Sequence, residues 1–189
     1  MTQADLFGAP PDNLPPGLRY DPAVVAPKDA QKLAPLIAAL PFEAFEFHGF
    51  TGKRRVVSFG WKYDFSERKL REKEPIPPFL LPLREQAAAF GGVEANRLEH
   101  ALVTEYAPGA AIGWHRDKAV FEEVIGISLG AACTMRFRRP SGSGWQRRNL
   151  ALEPGSAYLI SGAARTEWEH SIPPVEALRY SVTFRTLRA

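Results

Sequence analysis

Cysteine is nearly absent: Cys133 is the single one in 189 residues. One thiol excludes an intrachain disulfide framework and a cysteine-based metal site, and the default reading is a small buried side chain. Long apolar runs are missing too. No stretch of about 18 hydrophobic residues is available to span a bilayer. The N-terminus lacks the charged-then-apolar pattern of an export signal. Neither a membrane span nor secretion is expected, and the cytoplasm is the default. Net charge is only +3, so overall charge selects no partner and its distribution matters more. Histidine is scarce as well, with four in the chain.

What is present reads as one soluble globular domain over residues 1–189, with 45% hydrophobic and 24% charged residues; a monomer is favoured. From Arg97 onward the pattern predicts strands at 97–106, about 113–117, 123–130, 132–139, 145–152, 156–161 and 178–187. Turns at Ser141-Gly-Ser-Gly144 and Pro154-Gly155 separate them. Many short strands with Gly and Pro turns argue for a jelly-roll or barrel. Ahead of them, the proline-rich residues 1–27 are expected to form an irregular arm. Leu33, Leu36, Ile37 and Leu40 follow helical spacing, with Pro35 setting the helix start close to itself or kinking it. Phe42, Phe45, Phe47, Phe50, Val56, Val57 and Phe59 suggest two strands joined by a turn at Thr51-Gly52-Lys53. Pro82–Phe90 reads as a second helix that stops at Gly91. The fold class is α+β, mainly β: an arm over 1–27, helices and a lid over 28–92, and a β core over 93–189.

The chemistry concentrates between Leu102 and Asp117 and again near the C-terminus. On a strand, His115 and Asp117 would project to one side, because side chains alternate faces. His170 lies far enough along the chain for a later, folded-back strand to bring a second imidazole beside them. Two histidines and a carboxylate with open positions form the facial triad of non-haem Fe(II) oxygenases; the competing reading of H-x-D is a surface histidine near an aspartate. From Arg179 to Arg185, alternation gives one polar face (Arg179, Ser181, Thr183, Arg185) and one apolar face (Tyr180, Val182, Phe184). That polar face is either solvated, as in an ordinary half-buried strand, or lines a barrel around a metal. Leu102, Thr104 and Tyr106 repeat the arrangement on the strand leading to His115. A fixed guanidinium fork suits a small dicarboxylate through charge-assisted bidentate bonds.

Together these residues resemble the AlkB-type 2-oxoglutarate/Fe(II) dioxygenases, whose hallmark is N-x-Y-x-x-G, H-x-D, a distal His and R-x-N-x-T-x-R. Here the motifs read Thr104-Glu-Tyr106-Ala-Pro-Gly109, His115-Arg-Asp117, His170 and Arg179-Tyr-Ser181-Val-Thr183-Phe-Arg185. The resemblance implies a double-stranded β-helix that uses Fe(II), 2-oxoglutarate and O₂. His115, Asp117 and His170 would hold iron. Arg179 would pair with the distal carboxylate of 2-oxoglutarate, with Tyr106, Thr104 and Ser181 around the cosubstrate and Arg185 behind the iron-proximal carboxylate and Asp117. Thr104 and Ser181 replace two asparagines, and Ala119 stands where the bacterial prototype has an acidic residue near the substrate base.

Between Lys53 and Lys73, eight basic residues face three acidic ones, interleaved with Trp61, Tyr63 and Phe65. This segment is either a solvated basic loop or a lid in which Arg54 and Arg55 neutralise phosphates while Trp61 or Tyr63 contacts a base; the resemblance places the substrate-recognition segment here. By the same layout Arg165 and Trp168 would lie at the mouth of the site. Arg136, Arg138, Arg139, Arg147 and Arg148 flank the Ser-Gly turn as either a phosphate-contacting edge or the charged protection of an edge strand. His48 and His100 read as structural. The expected activity is oxidative demethylation of N-alkylated bases in DNA or RNA, releasing formaldehyde, succinate and CO₂. The alternatives are a hydroxylase or demethylase of a protein or small molecule, and a non-catalytic module that binds iron or 2-oxoglutarate.

Overall fold

The computed structural model describes residues 14–47, 50–64, 67 and 69–188. Its strands are β1 (Leu18–Asp21), β2 (Glu43–Phe47), β3 (Phe50–Phe59), β4 (Trp61–Asp64), β5 (Lys69–Glu72), β6 (Leu98–Tyr106), β7 (Ile112–His115), β8 (Phe121–Gly130), β9 (Cys133–Ser141), β10 (Gly144–Leu152), β11 (Ala157–Ile160), β12 (Glu169–Ile172) and β13 (Arg179–Leu187). The helices are α1 (Pro27–Ala38), α2 (Leu81–Gly91) and the short α3 (Gly162–Thr166). A seven-stranded sheet runs β1-β11-β8-β13-β6-β3-β2, a four-stranded sheet runs β10-β9-β12-β7, and β4 and β5 form a hairpin of their own. This is the mainly antiparallel jelly-roll expected from the turn spacing. No described helix is long and apolar enough to cross a membrane.

Alternation along the central strands divides the interior in two. Tyr180, Val182 and Phe184 of β13 join Ala101 and Val103 of β6 and Ile125, Ile127 and Leu129 of β8 in a core that also takes Ile37 of α1 and Leu83 and Ala87 of α2. The helices thus cover the outer face of the large sheet. Its inner face meets the small sheet through Val124, Tyr158, Ile160, Met135, Phe137, Leu150, Leu152, Trp168 and Ile172. Burying a side chain such as Phe137 or Phe184 contributes about 1.5–3 kcal/mol, and both are fully buried. β13, paired with β6 on one side and β8 on the other, is therefore buried on both faces. The solvated reading of its polar face does not hold.

Several local expectations are corrected. Residues 18–21 of the supposed arm pair with β11 as an edge strand, while 1–13 lie outside the described residues. Helix α1 begins at Pro27, whose missing N–H costs nothing in a first turn, and it runs through Pro35. Packing of the fully buried Ile37 outweighs the lost hydrogen bond, as tertiary burial often does. Thr51–Lys53 is not a turn. Phe47 pairs with Phe50 and Glu46 with Thr51, and an irregularity follows before Ala44 meets Arg55; His48 lies outside the described residues. Helix α2 continues through Gly91 and ends at Gly92, which takes φ 71° and donates its N–H to the Ala88 carbonyl, a left-handed cap that favours glycine. The later strand expected to carry His170 is β12, and the β4–β5 hairpin is an element the strand pattern does not include. Strands from both sides of residue 93 share the large sheet.

One close approach shapes the inner face. A Cβ at Gly126 would lie 2.1 Å from the ring of Tyr158, so the phenol occupies space that only glycine leaves. Gly126→Ala is expected to destabilise the fold by about 1–3 kcal/mol, the usual cost of overpacking, as read from denaturant midpoints. Adding Tyr158→Leu should return part of that loss.

Candidate metal centre and cosubstrate pocket

His170 on β12 and His115 on β7 are direct partners in the antiparallel ladder, so both imidazoles leave the small sheet on its inner face. Their ring centroids are 4.2 Å apart. Asp117 lies two residues beyond the end of β7, in a loop rather than on a strand as the H-x-D spacing predicts. It converges all the same: Asp117 Oδ2 is 3.6 Å from His170 Nε2. One ligand atom from each of His115, Asp117 and His170 lies within 4.8 Å of the others. Two imidazoles and a carboxylate fit an Fe(II) site that keeps positions open.

The surrounding hydrogen bonds orient each member. His115 Nδ1 is 2.8 Å from the Gly113 carbonyl; as the donor there, it leaves Nε2 as a lone-pair ligand, the usual support for a metal-facing imidazole. Arg185 holds Asp117 Oδ1 through Nε at 3.0 Å and Nη2 at 2.8 Å, which leaves Oδ2 facing the histidines. Burial disfavours the charged carboxylate, but Arg185, with smaller contributions from His170 and His115, outweighs it and holds Asp117 well below the usual carboxylate range. His170 is pushed down to about 3 by burial first and by neighbouring His115 second. Burial also lowers His115 below the ordinary imidazole value, so both histidines favour the neutral form that ligands must have.

His100, read from sequence as a lone structural histidine, belongs to this arrangement. Its Nδ1 accepts from Arg185 Nη1 at 3.3 Å, and burial, then Arg185, lowers its pKa well below the ordinary value. His100 Cα pairs with Arg185 across β6 and β13. That cross-strand register was the missing signal, and it needs the fold.

The second arginine of β13 is partnered differently. Arg179 is fully buried; its Nε donates to Ser128 Oγ at 3.1 Å, its guanidinium carbon lies 5.0 Å from the Tyr106 ring, and both Nη atoms lack a hydrogen-bond partner. Leaving buried donors unpaired costs about 1–3 kcal/mol each, more when charged. An anion with two acceptor oxygens fits this cradle. Thr104 and Ser181 face each other across β6 and β13, both buried, and Ser181 Oγ is 3.4 Å from Thr183 Oγ1. Tyr158, unnoticed in the sequence, is buried at the same interface between the sheets, with its pKa raised to about 12 mainly by burial.

The residues expected to meet substrate are scattered. Arg54 and Arg55 part company. Arg54 stacks its guanidinium carbon 3.7 Å from the Phe45 ring centroid; burial lowers its pKa, partly offset by Tyr106, whose hydroxyl oxygen accepts a hydrogen bond from it. Arg55 takes the opposite face and forms a bidentate pair with Glu105 at 2.8 and 3.0 Å, so it is not a spare phosphate contact. Tyr63 lies under Lys118 Nζ, 5.2 Å away, next to Asp117 in sequence. Trp61 lines a cleft of about 390 Å³ with Lys73, Ile76, Arg84, Asn96 and Glu99, a cleft that no triad residue lines. Phe65 lies outside the described residues. Arg165 is not a cation at the mouth: it is 7% exposed, and Nη2 donates to the carbonyls of Lys118 and Phe121, pinning the loop that carries Asp117. Trp168 is buried in the core.

The sequence matches the 2OG-Fe(II) oxygenase superfamily over residues 42–185. The chain belongs to that superfamily. Proteins named as AlkB or its homologues are among its relatives. It is 31% identical over 182 residues to the Arabidopsis thaliana "Alkylated DNA repair protein ALKBH8 homolog", covering 84% of this chain and 51% of that one. It is 26% identical over 168 residues to the Mus musculus "tRNA (carboxymethyluridine(34)-5-O)-methyltransferase ALKBH8", covering 85% and 25%. It is 29% identical over 126 residues to the Escherichia coli "Alpha-ketoglutarate-dependent dioxygenase AlkB", covering 58% and 55%. The chain thus spans about half of the first of these ALKBH8-type relatives and a quarter of the second. Among solved structures, OsALKBH1 superposes with a TM-score of 0.70 at 14% identity, covering 92% of this chain and 98% of that one; this likeness supports the fold. Membership makes the protein an Fe(II)-dependent oxygenase that uses 2-oxoglutarate and O₂, and the His-Asp-His cluster and the Arg179 cradle fit both groups.

The buried neutral histidines give the metal-free oxygenase a pH signature. His170 takes up a proton near pH 6.5 when unfolded but only near 3 when folded, so between those values the unfolded chain binds more protons and stability falls as pH falls. With chelator present, urea midpoints should drop from about pH 7 to about pH 5, by up to about 1.4 kcal/mol per pH unit for each such histidine. His170→Gln should flatten the slope, whereas a rise in stability toward pH 5 would contradict a neutral buried imidazole.

Proposed function

We propose that this oxygenase removes N-alkyl groups from bases in DNA or RNA, and that the unsatisfied guanidinium of Arg179, on the same face of β13 as the Arg185 that holds Asp117, is the observation that carries its chemical half. In this reading His115 Nε2, Asp117 Oδ2 and His170 hold Fe(II), and Arg179 receives the distal carboxylate of 2-oxoglutarate through its two free Nη atoms, the bidentate geometry that a guanidinium fork favours. Tyr106, Thr104 and Ser181 line the cosubstrate. Arg185, braced by His100, keeps Asp117 ionised and its Oδ1 occupied, so a single oxygen faces the metal. Bound Fe(II), with 2-oxoglutarate and O₂, supplies oxidative decarboxylation to succinate and CO₂ coupled to hydroxylation of a C–H bond. When that carbon is an N-methyl group, the hemiaminal falls apart to formaldehyde and the restored base. The residues of the chain position the reactants and exclude side reactions.

The substrate half rests on Arg54, Tyr63 and Lys118 near the centre and on relatives named as DNA-repair, tRNA-modifying and AlkB proteins. A base inside a duplex cannot reach a buried metal, so it would flip out or come from a single strand. The second reading, hydroxylation of a protein or small molecule, is favoured by Ala119 in place of an acidic residue and by the engagement of Arg55 with Glu105.

Anaerobic reconstitution with Fe(II), followed by assay of succinate and formaldehyde on methylated single- and double-stranded DNA and RNA, separates the two. Formaldehyde in step with succinate on a methylated oligonucleotide is expected; succinate that no methylated oligonucleotide stimulates would favour the second reading. His115→Ala and Asp117→Ala should each abolish turnover. Arg179→Met should raise the 2-oxoglutarate requirement by about 2–5 kcal/mol while leaving the metal-free fold as stable as the parent or more so, because an incompletely paired buried charge is gone. An unchanged 2-oxoglutarate dependence would remove Arg179 from the cosubstrate site.

A further inference from the structure

The small sheet has a second face. Its inner side carries His115 and His170; on β9 the inward residues are Met135 and Phe137, while Arg136 and Arg138 point outward. On β10 the exposed positions include Trp145, Arg147 and Asn149. The register aligns Arg147 with Arg138 and Asn149 with Arg136 across β10 and β9, then Arg138 with Glu169 and Arg136 with Ser171 across β9 and β12. Trp114 of β7 completes the row. Three arginines stand against one glutamate, and both long helices pack on the other sheet.

The row is organised. The Arg138 guanidinium carbon lies 4.4 Å from the Trp114 ring centroid and 4.2 Å from that of Trp145, and its Nε donates to Glu169 at 2.7 Å. Arg136 sits 5.2 Å from the Trp114 ring and donates to Ser171 Oγ at 3.2 Å. Arg138 is thus fixed between two indoles, with Trp145 presenting surface outward at 43% exposure. Arg147 is exposed and has no ion pair among the described residues. An indole with solvent-facing surface beside a guanidinium without a counter-ion suits a nucleotide, one group for the base and one for the phosphate. An acidic protein surface would use the arginines but not the exposed ring.

We propose that this outer face is a second binding track for single-stranded nucleic acid, formed by Trp114, Arg136, Arg138, Trp145 and Arg147, and that it holds the stretch of strand flanking the nucleotide in the catalytic site. The proposal rests on the nucleic-acid reading of the substrate. From β7 to β10 the track crosses three strand spacings, about 14 Å, which matches about four nucleotides at about 3.4 Å per step. β7 is an edge strand, and Trp114 directly precedes His115, so a strand passing over that edge reaches the track from the rim of the metal site.

The test compares fluorescein-labelled, singly methylated single-stranded DNA of about 5 and about 20 nucleotides, lengths that fall below and above one site plus the track, on the full chain. Trp145→Ala should weaken binding of the long strand by roughly tenfold. Arg147→Ala should make its log–log salt slope shallower by about 0.7. Binding and demethylation of the short strand should stay unchanged, which also controls for folding, and Trp145→Phe should restore long-strand affinity. An abasic long strand should lose the dependence on Trp145; if the dependence persists, the face is a general polyanion surface and the base-stacking track is wrong. Unchanged long-strand affinity and slope in both variants would overturn the track while leaving the catalytic reading intact. Failure of the parent protein to bind or demethylate even the short strand would sink the nucleic-acid reading, and the track with it.

Discussion

A guanidinium buried in a protein needs partners for its charge and its donors, and β13 places two of them on the inner face of a strand enclosed on both sides. The fold satisfies one. Arg185 has Asp117 and His100, and through Asp117 it sets the orientation of the metal cluster. The other, Arg179, has one serine and two idle nitrogens. Close-packed apolar cores on either side, the helix-covered layer and the layer between the sheets, hold both arginines where they are. The oxygenase thus carries a completed ion pair at Arg185 and a buried guanidinium at Arg179 with two unpaired nitrogens, the pair of features on which the proposed metal and cosubstrate roles rest.

This arrangement also explains which neighbours matter. Arg165, although it carries a charge close to Asp117, is spent on backbone carbonyls of the loop after it. That loop lies beyond the end of β7 and has no ladder to hold it. Gly126 makes room for Tyr158, so the volume beside the cluster is shaped by one absent methyl group. These residues act through geometry, and none belongs to the motifs that identify the family.

Much of this was legible in the chain before folding. The alternation of Arg179, Ser181, Thr183 and Arg185 correctly predicted a polar face, and the turn spacing predicted the strands from β6 to β11 to within a few residues. Legibility failed where meaning depends on pairing between distant strands. His100 looked solitary because its partner is 85 residues away. Arg54 and Arg55 looked like a pair because they are adjacent, yet neighbours on a strand take opposite faces, and Glu105 claims one of them. The arginines around the Ser-Gly turn looked alike, but the hairpin register sends Arg136, Arg138 and Arg147 outward while Arg139 turns to Gln146 and Glu167. A helix start near Pro35 is not what forms, because the burial of Ile37, which local propensity does not show, carries the helix through that proline.

The central claim is that one dicarboxylate joins the His115–Asp117–His170 cluster to Arg179. Its most direct measurement is calorimetric binding of 2-oxoglutarate and of 2-oxobutyrate, which lacks the distal carboxylate, to the Fe(II)-loaded protein without O₂, in the parent chain and in Arg179→Ala. The parent should prefer 2-oxoglutarate by about 2 kcal/mol or more, the scale of a buried charge-assisted pair, and the preference should vanish in Arg179→Ala. A preference that survives the substitution would contradict the claim and send the distal carboxylate to a different cation.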